Sequence, residues 1–247
     1  MAVDQLNEPA RVLIVYYSRF GVVKRLAECI AEGARNVGSV DVRFLEVTDR
    51  SVEDIRPGKN ESEMLQRRAA TVNQLHWADA LIVGAPGYFG SMASPVKRLF
   101  EDCATASSPP LTDRTRPWRH FIFRDKVGAA FTSTATPHGG NEQALHSILT
   151  LFMHLGMIIV TPGQRLPVLE NEAAPYGTTA VAGPEGAQGP SELEEQWARD
   201  LGRQVAEVTT WLKLGSWVWA GRRQGHQAAN PTLEPGSEPA TEQGTRP

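Results

Sequence analysis

Short, unbroken apolar runs punctuate this chain of 247 residues, and each is joined to the next through a helical pattern. Val12 to Tyr17, Leu81 to Val83, Val127 to Phe131 and Met157 to Val160 are continuous rather than alternating. A strand that is apolar on both faces needs cover on both, which is the condition of a parallel sheet between two helical layers. Val40, Val42 and Phe44 alternate with Asp41 and Arg43, as an edge strand does. Helical spacing links Val23, Leu26, Ile30 and Ala34, then Met64, Leu65, Ala69, Val72 and Leu75. It recurs at Val96, Leu99 and Phe100 behind Ser94-Pro95, a cap followed by a first-turn proline, and at Leu145, Ile148, Leu149, Phe152 and Leu155. Ser191 and Glu194 form a capping box before Leu193, Trp197, Leu201, Val205, Val208 and Leu212. Strand and helix alternate about five times. The order predicts a doubly wound α/β fold, a five-stranded parallel sheet with helices on both faces.

Composition narrows the setting. A formal net charge of −3 gives no basic footprint, so nucleic acid is not expected as a partner. The two cysteines, Cys29 and Cys103, make neither a disulfide framework nor a metal site. No histidine has ligand partners at metal spacing, so no metal is assigned. No apolar run reaches the roughly 18 residues of a membrane span, and a cytoplasmic location is expected. Residues 1–10 read as an extension, 11–214 as the domain and 215–247 as a mostly disordered tail, rich in Gly, Pro, Gln and Glu. Thr161 to Pro190 reads as a long loop, of the kind that in a compact domain is more often functional than idle.

In open α/β sheets ligands sit beyond the carboxyl ends of the strands. There the first strand runs into Ser18-Arg19-Phe20-Gly21-Val22-Val23 and directly into a helix. Unpaired N–H groups and the helix dipole hold a phosphate at such a start; the plainer alternative is that Ser18 is a helix cap. Missing motifs exclude rivals: no G-x-G-x-x-G follows the first strand, and no G-x-x-x-x-G-K-[ST] or G-x-S-x-G occurs. The turn after the third strand, Gly84 to Met92, carries glycines, Pro86 and two aromatics, Tyr88 and Phe89. These suit a flat heterocycle, or else the rings pack between helices. After the fourth strand come Ser133-Thr134-Ala135-Thr136-Pro137-His138-Gly139-Gly140, hydroxyls and small residues ahead of a helix. All three loops open on one edge of the sheet.

With these motifs the sequence resembles the WrbA-type NAD(P)H:quinone oxidoreductases of the flavodoxin superfamily, from about Arg11 to Leu212. The resemblance rests on Val-Leu-Ile-Val-Tyr-Tyr-Ser at 12–18, Gly-Ala-Pro-Gly-Tyr-Phe-Gly-Ser-Met at 84–92 and Phe-Thr-Ser-Thr at 131–134. His-Leu-Gly-Met at 154–157 and Pro-Tyr-Gly-Thr-Thr-Ala-Val-Ala-Gly at 175–183 complete it. It implies a flavodoxin-like fold with strand order 2-1-3-4-5, non-covalent FMN, NAD(P)H as co-substrate, a quinone as acceptor and a homo-oligomer, dimer or tetramer. It also implies that Ser18, Arg19, Phe20, Gly21, Val22 and Val23 hold the ribityl phosphate. Pro86, Gly87, Tyr88, Phe89 and Gly90 would flank the isoalloxazine, and Ser133, Thr134, Ala135, Thr136 and Gly139 would form the third loop. His154 falls where the family has a flavin-contacting histidine, and Trp118 is spaced like its substrate-stacking tryptophan. As residues alone, His154 reads equally as a helix-end cap and Trp118 as a core or interface side chain. The third loop departs from the family's glycine-rich pattern, with Ala135, Pro137 and one inserted residue, and about ten extra residues lie within 103–117.

Three functions follow from this reading. The first is an FMN-dependent oxidoreductase moving electrons from NAD(P)H to quinones by a two-electron ping-pong sequence. The second is a flavodoxin-type electron carrier, and the third is a flavodoxin-like binding or regulatory module that lacks FMN.

Overall fold

The computed structural model describes residues 8–48, 73–105, 123–164 and 175–229. Chain order is β1 (Ala10–Tyr16), α1 (Val22–Arg35), β2 (Val40–Glu46), β3 (Ala80–Tyr88), β4 (Ser91–Met92) and α2 (Ser94–Thr105). It continues with β5 (Val127–Thr134), α3 (Asn141–His154), β6 (Ile158–Ile159), β7 (Thr178–Val181) and α4 (Glu192–Ala229). The sheet runs β2-β1-β3-β5-β6, with parallel pairing throughout that path. With the hairpin strand β4 set aside, this is the 2-1-3-4-5 order that the family resemblance implies.

Pleating explains why the apolar runs are continuous. Val12, Ile14 and Tyr16 point to one face, where Leu26 and Ile30 of α1 and Leu201 and Val205 of α4 cover them. Leu13 and Val15 point to the other, under Val96 and Phe100 of α2 and Leu145, Ile148 and Phe152 of α3. Every residue of the interior strand β5 is buried. At the edge, β2 is half-covered: Phe44 meets Tyr16 edge-on at 6.2 Å, and Arg43 stacks on Trp77 at 3.9 Å. Half-buried Asp79, just before β3, ties β1 to α4 by accepting hydrogen bonds from Arg11 and Lys213. Burial pushes that carboxyl up, but these bonds hold it below the usual carboxylate value.

Helices α1 and α4 cross in near backbone contact. A Cβ on Gly33 would run into the Arg199 carbonyl, and one on Gly202 into that of Ile30. Paired glycines thus let the axes approach, and ion pairs Arg25–Glu195 at 2.6 Å and Arg199–Glu32 at 2.8 Å flank the crossing.

Three expectations are corrected. The fifth strand is not one run from Met157 to Val160 but two pieces: β6 pairs with Val127 and Gly128, while β7 pairs with Phe131 to Thr134. The expected loop from Thr161 to Pro190 therefore contains a sheet strand, β7, because threonines and valine at 178–181 suit a buried position beside β5. The last helix does not end near Leu214 but continues to Ala229. Between Pro190 and Pro231 the chain has no proline, and isolated glycines weaken a helix without stopping it. Met64, Leu65, Ala69 and Val72, together with residues 106–117 of the insertion and 230–247 of the tail, lie outside the described residues. Leu75, on a short helix at 73–77, is fully buried. Among the described residues, no helix is long and apolar enough to cross a membrane, and no cluster of three metal-ligating side chains occurs.

Candidate functional site

A cleft of about 300 Å³ opens at the carboxyl edge of the sheet, within the size range of small-molecule sites. Ser18, Arg19, Phe20, Val22 and Val23 form its first side, Pro86, Gly87 and Tyr88 its second, and Ser133, Thr134 and Ala135 its third. The three loops singled out in the sequence meet in one space.

The first side is a helix start at which Ser18 acts as a side-chain cap. Ser18 Oγ accepts hydrogen bonds from the N–H groups of Gly21 at 3.1 Å and Lys24 at 3.2 Å. The N–H groups of Val22 and Val23 belong to the first turn of α1, where no intrahelical acceptor exists. No acidic residue stands in that turn, so the positive end of the helix dipole is not cancelled locally. Both valine side chains are buried under the sheet and hold this backbone in place.

The second side corrects the expected turn. Residues 84–88 belong to β3, which pairs back with β4 through a hairpin whose tip is Phe89-Gly90. Both tip residues have positive φ, 52° and 71°, as tight hairpins require. Phe89 is fully exposed there and, with Gly90, is not among the cleft-lining residues. Gly84 serves the sheet instead: a Cβ on it would overlap the Phe131 ring. A Cβ on Gly87 would come within 2.7 Å of Thr134 Cγ2, so the second and third sides touch below the cleft.

The third side answers the question raised by the altered loop. Ser133 to Ala135 line the cleft, and the chain then turns away from it. Thr134 Oγ1 donates to the Thr136 carbonyl at 2.8 Å, and the Gly139 N–H donates to the same oxygen at 2.9 Å. Thr136 and Gly139 thus brace the loop from behind. Pro137 has no N–H to offer and falls at the exposed turn, where none is needed. At the start of α3 stands Asn141, whose Oδ1 is buried and has no hydrogen-bond partner among the described residues.

Sequence reasoning missed a fourth side: Ala182, Pro184, Glu185 and Gly186. The 175–183 motif marked this region, but only the split of the fifth strand brings it to the cleft. Its anchors are several. The Ala182 N–H donates to the Thr134 carbonyl at 2.8 Å, and the Val181 N–H to Glu194 Oε1 at 2.9 Å. Glu194 Oε2 also accepts from the Ser191 N–H at 2.7 Å, so the capping box of α4 doubles as a tether. Tyr176 stacks on His146 of α3 at 4.7 Å.

His154 does not line the cleft. It is exposed at the last turn of α3, whose 14 residues carry it about 20 Å from the end that faces the site. Trp118 lies outside the described residues.

A family model for NADPH-dependent FMN reductases matches residues 11–166. A NAD(P)H dehydrogenase (quinone) of Acidovorax ebreus (strain TPSY) is 38% identical over 209 residues, covering 82% of this chain and 98% of that protein. One of the same name from Methylocella silvestris is 38% identical over 215 residues, covering 83% and 99%. The crystal structure of a flavodoxin, WrbA-like protein from Agrobacterium tumefaciens aligns with a TM-score of 0.56 at 22% identity, over 81% of this chain and 97% of that one, which is a likeness of fold.

Proposed function

Because the chain belongs to the NADPH-dependent FMN reductase family, we propose that it is an FMN-dependent oxidoreductase passing two electrons from NAD(P)H to a quinone. The two substrates take turns at one slot, in a ping-pong sequence. One observation carries this reading: three loops and a fourth wall enclose an open cleft at the sheet's carboxyl edge, with the capped start of α1 at one end.

The residues present fit FMN. The Ser18 hydroxyl and the N–H groups of Val22 and Val23 would hold the phosphate, with Gly21, whose N–H is given to Ser18, shaping the turn. Gly87 and Tyr88 would hold the ring from one side, and Ser133, Thr134 and Ala135 from the other. Thr136 and Gly139 act through the loop they brace, and Phe89 and Gly90 through the hairpin that presents Tyr88. When bound, FMN supplies the hydride-accepting and electron-donating chemistry. The protein binds and orients it and keeps one face open: Tyr88 and Phe20 are both partly exposed at the mouth, 39% and 58%. His154 and Trp118 enter this reading through the family resemblance alone, as does a homo-oligomer, dimer or tetramer. His154 is out of reach of the cleft within its own chain.

A one-electron carrier is the second reading, and the cleft speaks against it. Such carriers dock through an acidic rim, whereas Glu185 is the one acid among the lining residues and Arg19 balances it. FMN titration of the purified protein, followed by steady-state oxidation of NADH and NADPH with a short-chain quinone, tests the proposal. Stoichiometric FMN binding with parallel-line kinetics is expected. Protein that takes no FMN leaves the binding-module reading, and FMN binding without nicotinamide turnover leaves the carrier.

A further inference from the structure

The family resemblance gives Arg19 to the FMN phosphate; in the structure its guanidinium lies over the ring of the neighbouring Phe20. The Ser18 hydroxyl and the backbone at the start of α1 would hold the phosphate, while the Arg19 guanidinium lies 5.5 Å above the centre of the Phe20 ring. Phe20 in turn rests on Gly186 of the fourth wall, where even a Cβ would come within 2.9 Å of the ring. Arg19 therefore stands at the outer mouth of the cleft, on a platform spanning two of its sides.

Arg11, Arg25, Arg43, Arg199 and Arg203 are each committed to a carboxylate at 2.6 to 2.9 Å. Arg19 has no ion pair among the described residues, and Glu185 across the mouth is not within pairing distance. A cation held on an aromatic face keeps its position without losing its charge, and its five N–H donors remain free at the edge of the plane. Arginine in that state matches a phosphate, which it can grip through two parallel hydrogen bonds.

We propose that Arg19 anchors a phosphate of the nicotinamide dinucleotide while the nicotinamide occupies the slot. The inference rests on the oxidoreductase reading above and makes Arg19 its specificity-determining residue. The chemistry is phosphate recognition; the pyrophosphate and the 2′-phosphate are its two sources.

The test uses the FMN-loaded full chain and measures binding apart from turnover. NADP⁺, NAD⁺ and adenosine 2′,5′-bisphosphate are titrated calorimetrically into the wild type, Arg19→Ala and Arg19→Lys. Arg19→Ala should weaken NADP⁺ about tenfold, and Arg19→Lys should recover part of that loss. Equal weakening of NAD⁺ identifies the pyrophosphate. Weakening confined to NADP⁺ and the bisphosphate identifies the 2′-phosphate. Unchanged affinity for all three ligands overturns the proposal, and so does a loss of FMN affinity, which would return the side chain to the cofactor. A wild type that takes no FMN withdraws the oxidoreductase reading as well. One that takes FMN and reduces quinone, with dinucleotide affinity indifferent to residue 19, withdraws this inference alone.

Discussion

Cys29 shows what a single buried group contributes. It is fully enclosed between α1, α4 and the sheet, and burial pushes its thiol up to about 11 from an ordinary 9.0. Below pH 9 the thiol is protonated in both folded and unfolded chains, and stability does not depend on it. Between about 9 and 11 the unfolded chain sheds a proton that the native state keeps, so stability falls as pH rises through that window. Urea midpoints measured from pH 8 to 11 should show this fall in the wild type, and Cys29→Ala should lack that component. Matching slopes in the two proteins would mean the thiol is not shielded. Phe89 makes the opposite point: a bulky residue held at positive φ, it carries backbone strain at the rim of the cleft.

At the scale of elements, the crossing of α1 and α4 depends on having no side chain at two positions. Gly33→Ala or Gly202→Ala forces a methyl group into the opposing helix backbone, and each should cost about 2–3 kcal/mol of stability. The double variant should cost less than the sum, since the first substitution already separates the helices. Thermal unfolding of the three proteins checks this, and a loss below about 0.5 kcal/mol for either single variant would contradict the close approach. The start of α4 has a second duty. Removing the Glu194 carboxylate by Glu194→Ala frees the backbone N–H groups of Ser191 and Val181, at about 1–2 kcal/mol. Because Val181 leads into the fourth wall, FMN affinity should drop with it, whereas Ser191→Ala should lower stability and spare the cofactor. Equal FMN affinity in the two variants would separate the tether from the site.

Across the whole molecule, protection should follow the sheet order. Amide exchange is expected slowest in β1, β3 and β5, which have neighbours on both sides, and fastest in β2 and β6 at the margins. Exchange in β2 as slow as in β5 would contradict that order. The strand order came from the family resemblance, but the parallel, doubly covered sheet was legible in the sequence, because continuous apolar runs such as Val12 to Tyr17 report cover on both faces. So were three cleft loops, since Ser18, Tyr88 and Ser133 each sit where a strand ends. What could not be read there depends on contacts between distant segments. Gly33 and Gly202 look like ordinary helix glycines until α1 meets α4, and Gly186 gains meaning only from Phe20. Arg19 likewise carried no sign that its side chain would lie over the Phe20 ring.

Dividing the outermost strand also has a consequence for the protein in a crowded solution. A sheet margin is a template on which another chain can add by hydrogen bonding, and long flat margins invite aggregation. Here that border is two residues of β6 and four of β7, and the stretch opposite Ala129 and Ala130 belongs to neither. The detour that walls the cleft thereby leaves any incoming strand too short a ledge on which to start.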